Sequence, residues 1–188
     1  MSAACWSCHE PVQGLICPGC GALQPPRRDL DHFALLGLPR RHTLDAGALE
    51  AAWRACTREV HPDRFAGRDA TQRQLALQWS AALNEARRVL KAPRTRALYL
   101  ATGRSELLER GGPPPDPDFL DAVFELQAQA RVAPAEAAVE VARLSAEVEA
   151  ELAAVIGAWE AEDGALDRVE LLLSHLKFLD TARALTEA

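Results

Sequence analysis

An all-α protein is predicted by three observations. Ala, Leu, Glu and Arg dominate the 188 residues, and these side chains lose little freedom in a helix. Apolar residues recur at threes and fours between Gly and Pro breakers rather than in alternation. Few runs are rich in β-branched or aromatic residues, so strands have little to build on. A chain of this length holds one or two small domains, each with a modest core. The net charge of −6 hides a split: residues 1–115 carry 16 Lys and Arg against 11 Asp and Glu, and residues 116–188 carry 5 against 16. A basic front and an acidic back argue for two surfaces with different partners and against general nucleic-acid binding. No apolar run approaches the roughly 20 residues that span a bilayer, and the N-terminus has neither an apolar signal core nor an Arg- and Ser-rich transit segment. The expectation is therefore a cytoplasmic protein with no membrane and no nucleic-acid partner.

Cys5, Cys8, Cys17 and Cys20 form two Cys-x-x-Cys pairs separated by eight residues. Each pair can present two thiolates from one tight turn, and two such turns complete a tetrahedral metal site. Zinc is the expected occupant, and iron takes the same ligands. Two disulfides are the alternative, but a chain without an export signal sits in a reducing compartment. A stretch of about 24 residues cannot bury a core, so its fold should depend on the metal. Four closed ligands make the site structural rather than catalytic. His9 reads as a solvated loop residue, and Cys56 as a small core residue.

Gln24-Pro25-Pro26-Arg27-Arg28 is a stiff linker. A short helix follows, with Asp31, Phe33 and Leu36, stopped by Gly37 and Pro39. The next helix runs from about Asp45 to Val60, with Leu49, Ala52, Trp53, Cys56 and Val60 on one face. Its outer face carries Glu50, Arg54 and Arg58 at four-residue steps, which makes a basic ridge. Pro62 lacks an N–H and pushes His61 out of the α region, so the helix stops and His61, Pro62, Asp63 and Arg64 are held outward. A third helix starts at the Asp69–Gln72 capping pair, buries Leu75, Trp79, Ala82, Leu83, Ala86 and Leu90, and ends at Pro93. The second and third helices thus predict an antiparallel hairpin with the loop at its tip, and Trp53 and Trp79 read as core anchors. A short fourth helix passes through Leu98, Tyr99 and Leu100.

Gly111 to Pro115 breaks the pattern and marks a boundary. Asp116 as N-cap and Pro117 at the first helical position start a helix reaching about Arg131. A longer one runs from about Pro134 to Glu160 through Val141, Leu144, Val148, Leu152, Val155 and Trp159, and the last begins at about Ala165. Three helices with short connections predict a small antiparallel bundle. Two of them carry more apolar surface than one core needs. Leu120 and Phe124 lie roughly 100 to 140 degrees from the sector of Phe119, Val123, Leu126 and Ala130. Phe178 points away from the stripe of Val169, Leu172, Leu176 and Leu179. Such residues mark an interaction surface when they cluster, and packing against the preceding helical domain is the alternative for Leu120 and Phe124.

His61-Pro62-Asp63, set between a basic helix and a long one, resembles the signature of J-domain co-chaperones, which stimulate ATP hydrolysis by DnaK-type heat-shock chaperones. The runs Asp31 to Pro39, Leu44-Asp45, Val60 to Phe65, Leu98-Tyr99-Leu100 and Leu176 to Asp180 are together similar to the HscB family of iron-sulfur co-chaperones. The four-cysteine extension, with Cys5-Trp6-Ser7-Cys8 and Ala22-Leu23-Gln24, is similar to that of mitochondrial-type members. The resemblance implies a zinc-binding module over residues 1–24, a J domain over 31–102, a linker over 103–116 and a three-helix scaffold-binding domain over 117–188. It implies an HscA- or DnaK-type chaperone as partner of His61, Pro62, Asp63 and Arg64, with Arg54 and Arg58 on the approach. It also implies an IscU-type iron-sulfur scaffold as partner of Leu120, Phe124, Glu125 and Phe178. An adaptor and not an enzyme is expected, since no nucleophile and base pair and no open metal site points to chemistry of its own. A general protein-folding co-chaperone is the first alternative. A zinc-containing nucleic-acid regulator ranks below it, because few exposed aromatics accompany the bases.

Overall fold

In the computed structural model, which describes residues 3–27, 30–107, 113–162 and 164–187, helix starts coincide with aspartates that cap them. Asp31, Asp45, Asp69 and Asp116 each accept a hydrogen bond from a main-chain N–H two or three residues on, at 2.8, 2.6, 2.9 and 2.8 Å. Each aspartate thereby satisfies one of the donors that a helix leaves unpaired in its first turn. Arg28 and the Gly111-Gly112 pair, assigned above to linkers, lie outside the described residues. No helix among the described residues is long and apolar enough to cross a membrane.

The chain divides into two compact units, residues 1–92 and 93–188. In the first, strands β1 (Ala3–Ala4) and β2 (Pro11–Val12) pair antiparallel, Ala3 opposite Val12, and an isolated bridge joins Ile16 to Leu23. Helix α1 (His32–Leu35) buries Phe33 and packs on α3. It closes where Gly37, at φ +66°, turns left-handed and donates to the Ala34 carbonyl, a conformation that glycine adopts without a steric penalty. Helices α2 (Ala46–Val60) and α3 (Ala70–Lys91) form the antiparallel hairpin. As α2 advances from Glu50 to Trp53, its partners on α3 step back from Arg87 to Asn84. The Arg87 guanidinium meets Glu50 at 2.7 Å and lies 4.4 Å over the Trp53 ring. Leu75, Trp79, Leu83, Ala86 and Leu90 are buried as the pattern predicts, whereas Ala82 is only half-buried.

On α2 the core is narrower than the pattern implies. Only Leu49 and Val60 are fully buried. Trp53 is half-buried and directs its indole N–H to Asn84 at 3.1 Å, so it seals the rim of the hairpin rather than anchoring its core. Cys56 is also half-buried, and burial raises its thiol pKa.

The second unit contains α4 (Pro93–Thr102), α5 (Pro117–Ala130), α6 (Pro134–Glu160) and α7 (Val169–Thr186). Pro117 and Pro134 sit in first turns, where a missing N–H costs nothing. One cluster joins Leu152 and Ile156 of α6, Ala97 and Leu98 of α4, and Val169, Leu172, Leu173 and Leu176 of α7, and another joins Leu126, Val141 and Ala182. Helix α4 was grouped by sequence with the hairpin, whereas its Ala97 and Leu98 enter the core of the bundle. Arg94 reinforces this by reaching both Glu149 of α6, at 2.6 Å, and Asp180 of α7, at 2.7 Å. Helix α7 begins at Val169 rather than near Ala165, since Leu166 closes a turn onto the Val169 N–H and no side chain caps an earlier start.

Candidate functional site

The four cysteines come from two turns with the same backbone. In the first, the His9 N–H donates to the Cys5 carbonyl at 2.9 Å and the Cys5 N–H to the Glu10 carbonyl at 2.8 Å. In the second, Gly21 donates to Cys17 at 2.9 Å and Cys17 to Ala22 at 2.9 Å. The residue after each second cysteine is left-handed, His9 at φ 65° and Gly21 at φ 71°. His9 is therefore a turn residue, as expected, and not a ligand. All four sulfurs lie within 4.8 Å of one another. Cys5 meets Cys20 at 3.7 Å and Cys8 meets Cys17 at 3.6 Å, so each close pair takes one sulfur from each turn.

These separations match a metal site and not disulfides. Tetrahedral thiolates at the usual zinc–sulfur length of about 2.3 Å stand about 3.8 Å apart, whereas a disulfide needs about 2.0 Å, and all five cysteines are free. Burial would raise the Cys5 thiol, but hydrogen bonds from the Cys8 and Ser7 main chain, the Gln24 amide and Cys20 bring it down to about 6. Hydrogen bonding at Glu10 lowers the Cys8 thiol, yet Cys20, burial, Cys17 and Cys5 together push it up to about 12. Four sulfurs this close cannot all ionise unless a cation sits among them. The group can hold a metal ion.

At the tip of the hairpin, Pro62–Phe65 forms one 3-10 turn. Val60 on one side and Phe65 on the other are buried, which pins both ends. Between them His61 and Asp63 face outward, their side chains 49% and 91% exposed. The Asp63 N–H donates to His61 Nδ1 at 3.3 Å, which fixes the imidazole over the turn. Arg54 and Arg58 are exposed on α2. Arg64, grouped with them in the sequence, bends back instead, and its guanidinium donates to the Arg58 carbonyl at 2.9 Å. It caps the C-terminal end of α2 and so steadies the turn that follows.

On the bundle, Phe124 is 58% exposed and Glu125 lies beside it on the open side of α5. Leu120, one turn earlier, is half-buried, as is Phe178 on α7. The excess of apolar surface is thus real at Phe124 of α5 and partial at Leu120 of α5 and Phe178 of α7. Val132 and Val139, at the α5–α6 turn and the start of α6, are also exposed. Phe119, counted with the core sector, stacks on His175 of α7 at 3.8 Å between ring centres. Burial lowers the His175 pKa, which favours the neutral form of the stacked ring.

Sequence reasoning places Gln24 in a linker and misses its contact with the cysteines. It is buried, and its amide donates to Cys5 Sγ at 3.3 Å. Its partners lie far along the chain or in an irregular loop, so no periodic pattern could have marked it.

No family model matches this chain. Among curated proteins it is 48% identical over 91 residues to a co-chaperone protein HscB homolog of Bordetella petrii, an alignment covering 48% of this chain and 54% of that protein. It is 30% identical over 125 residues to an iron-sulfur cluster co-chaperone protein HscB homolog of Arabidopsis thaliana, covering 66% of this chain and 50% of that one. The chain spans about half the length of the curated relatives it matches. Among solved structures, human co-chaperone protein HscB superposes with a TM-score of 0.78 at 26% identity, covering 98% of this chain and 96% of that one. HscB from Vibrio cholerae gives 0.63 at 26% identity, covering 84% and 96%.

Proposed function

We propose, from the premise that the chain belongs to the HscB co-chaperone family, that it is an adaptor for iron-sulfur cluster assembly. It brings an IscU-type scaffold to an HscA- or DnaK-type chaperone and stimulates that partner's ATP hydrolysis. The observation that carries this reading is the outward His61-Pro62-Asp63 turn, held between two buried anchors at the mouth of a hairpin with exposed Arg54 and Arg58 beside it. Fixed ends and a free middle are what a loop needs to meet a partner without a large ordering cost. Arg64 belongs to the same surface through its hold on α2. The four cysteines hold one zinc ion in a structural role, with iron the other metal the ligand set accepts.

The scaffold meets the second unit through Leu120, Phe124, Glu125 and Phe178. Phe124→Ala leaves the melting temperature nearly unchanged, because truncation costs about 3 to 5 kcal/mol only for a buried Phe and this one is 58% exposed. The triple change Leu120→Ala, Phe124→Ala and Phe178→Ala weakens scaffold binding roughly thirtyfold, the effect of losing about 2 kcal/mol at an interface centre. Calorimetric titration of an IscU-type scaffold, with thermal melts alongside, checks both. A triple variant that folds and binds equally well places the client surface elsewhere. If the wild-type chain ignores the scaffold, the general co-chaperone reading takes over.

Chaperone binding should also weaken as salt rises, since Arg54 and Arg58 act across solvent and are screened within about 8 Å at physiological ionic strength. Affinity measured between low and high salt tests this. An unchanged affinity removes the basic ridge from the interface.

A further inference from the structure

Gln24 uses every polar atom it has, and its partners belong to two different parts of the first unit. Its side-chain amide donates to Cys5 Sγ at 3.3 Å and to the Ala22 carbonyl at 2.8 Å, and its Oε1 accepts from the Trp6 N–H at 3.3 Å. Its main-chain N–H donates to the Leu15 carbonyl at 2.7 Å. Its own carbonyl accepts the indole N–H of Trp79, in the middle of α3, at 2.7 Å. The neighbouring Leu23 is wholly buried, and its N–H reaches the Gln72 side chain at 3.5 Å. Gln72 in turn donates to Asp69, the residue that caps α3, at 2.9 Å. One buried residue thus touches a sulfur of the cysteine cluster and the N-terminal half of the helix that follows the His-Pro-Asp turn.

We propose that Gln24 is a coupling residue that ties metal loading of the cysteine cluster to the order of the N-terminal half of α3. The inference rests on reading the four cysteines as a metal centre. An ion held by both turns fixes Cys5 in place, and the Gln24 amide that donates to its sulfur is fixed with it. With the site loaded, Gln24 is fixed and its carbonyl is presented to Trp79. With the site stripped, no ion joins the two cysteine turns, so Cys5 and the Gln24 amide bonded to it lose their fixed position, and the buried indole N–H loses a fixed acceptor, which destabilises the helix around it. Linkage makes the effect mutual, so a change at Trp79 is felt by the metal. The four-cysteine module is on this account a brace for the chaperone-facing hairpin and not an appendage.

Hydrogen exchange read by mass spectrometry tests this on the full chain, zinc-loaded and chelator-stripped under reducing conditions. Stripping should speed exchange over residues 72–79 by roughly tenfold or more, while α6 serves as an unaffected reference. Trp79→Phe deletes the indole donor without touching a ligand, so it should keep about one zinc ion yet exchange in α3 like the stripped protein. Gln24→Met, similar in length but without the side-chain hydrogen bonds, should bind zinc roughly 10 to 100 times more weakly. Unchanged α3 exchange on stripping a protein that held zinc overturns the coupling. So does wild-type behaviour of both variants in exchange and zinc affinity. A wild-type chain that takes up no zinc at all overturns the metal reading, and the coupling with it.

Discussion

His61→Gln should reduce stimulation of an HscA- or DnaK-type chaperone to the unstimulated rate of ATP hydrolysis, with the fold and scaffold binding intact. The reason is positional. The His61 side chain is half-exposed and supports nothing but its own turn, through the Asp63 N–H. Glutamine is polar and flexible, so it satisfies water but does not reproduce a ring fixed over Asp63. The anchors Val60 and Phe65 and the Arg64 cap on α2 remain, and circular dichroism should be unchanged. A coupled ATPase assay with the chaperone in excess reads the result. Normal stimulation by the variant would remove the co-chaperone reading, whereas lost stimulation accompanied by an earlier melt would show that the turn is structural.

The second large effect belongs to the cysteines. Cys17→Ser with Cys20→Ser removes an entire turn of the proposed zinc site, where binding contributes on the order of 10 kcal/mol to the folding of small zinc modules. Metal content should fall from about one ion per chain to none. The sequence alone predicts that unfolding stops at the end of the module. The structure places Leu23 and Gln24 against Gln72 and Trp79, so disturbance should extend into α3 while the second unit keeps its own melt. Metal analysis and a melt followed by tryptophan fluorescence check this, because Trp6 and Trp79 both report on the affected region. A metal-free wild-type protein with two disulfides after reducing purification would sink the zinc reading.

Much of this was legible because local chemistry wrote it. Aspartate before an apolar period marks a helix start: Asp69 and Asp116 cap as expected, and Asp31 and Asp45 cap as well. Prolines at 117 and 134 mark first turns, and Cys-x-x-Cys spacing marks a pair of ligands. What stayed hidden depends on contacts distant in sequence. Arg96 to Leu100 are five consecutive buried residues, so α4 shows no polar face to reveal which core it joins. Helix α7 lacks a side-chain cap, so its start had no signal. Leu120 and Phe178 lie off their helices' main stripes, yet both are half-buried, which a helical wheel drawn for one helix cannot foresee. The hold of Arg64 on α2 was hidden because its partner is a main-chain carbonyl, invisible to any charge pattern.

The two cysteine turns also set the route by which a bound ion would leave. Cys5 and Cys17, the first of each pair, are buried, while Cys8 is half-exposed and Cys20 exposed. A chelator or an oxidant approaching from solvent therefore meets only the second cysteine of each turn. Displacing either one leaves both turns attached through their inner sulfurs. Departure of a bound ion would then go by successive ligand exchange from the more exposed sulfurs, with recapture competing at every step. A site of this kind is guarded by its kinetics as well as by its affinity, and brief encounters with competing ligands should pass without emptying it.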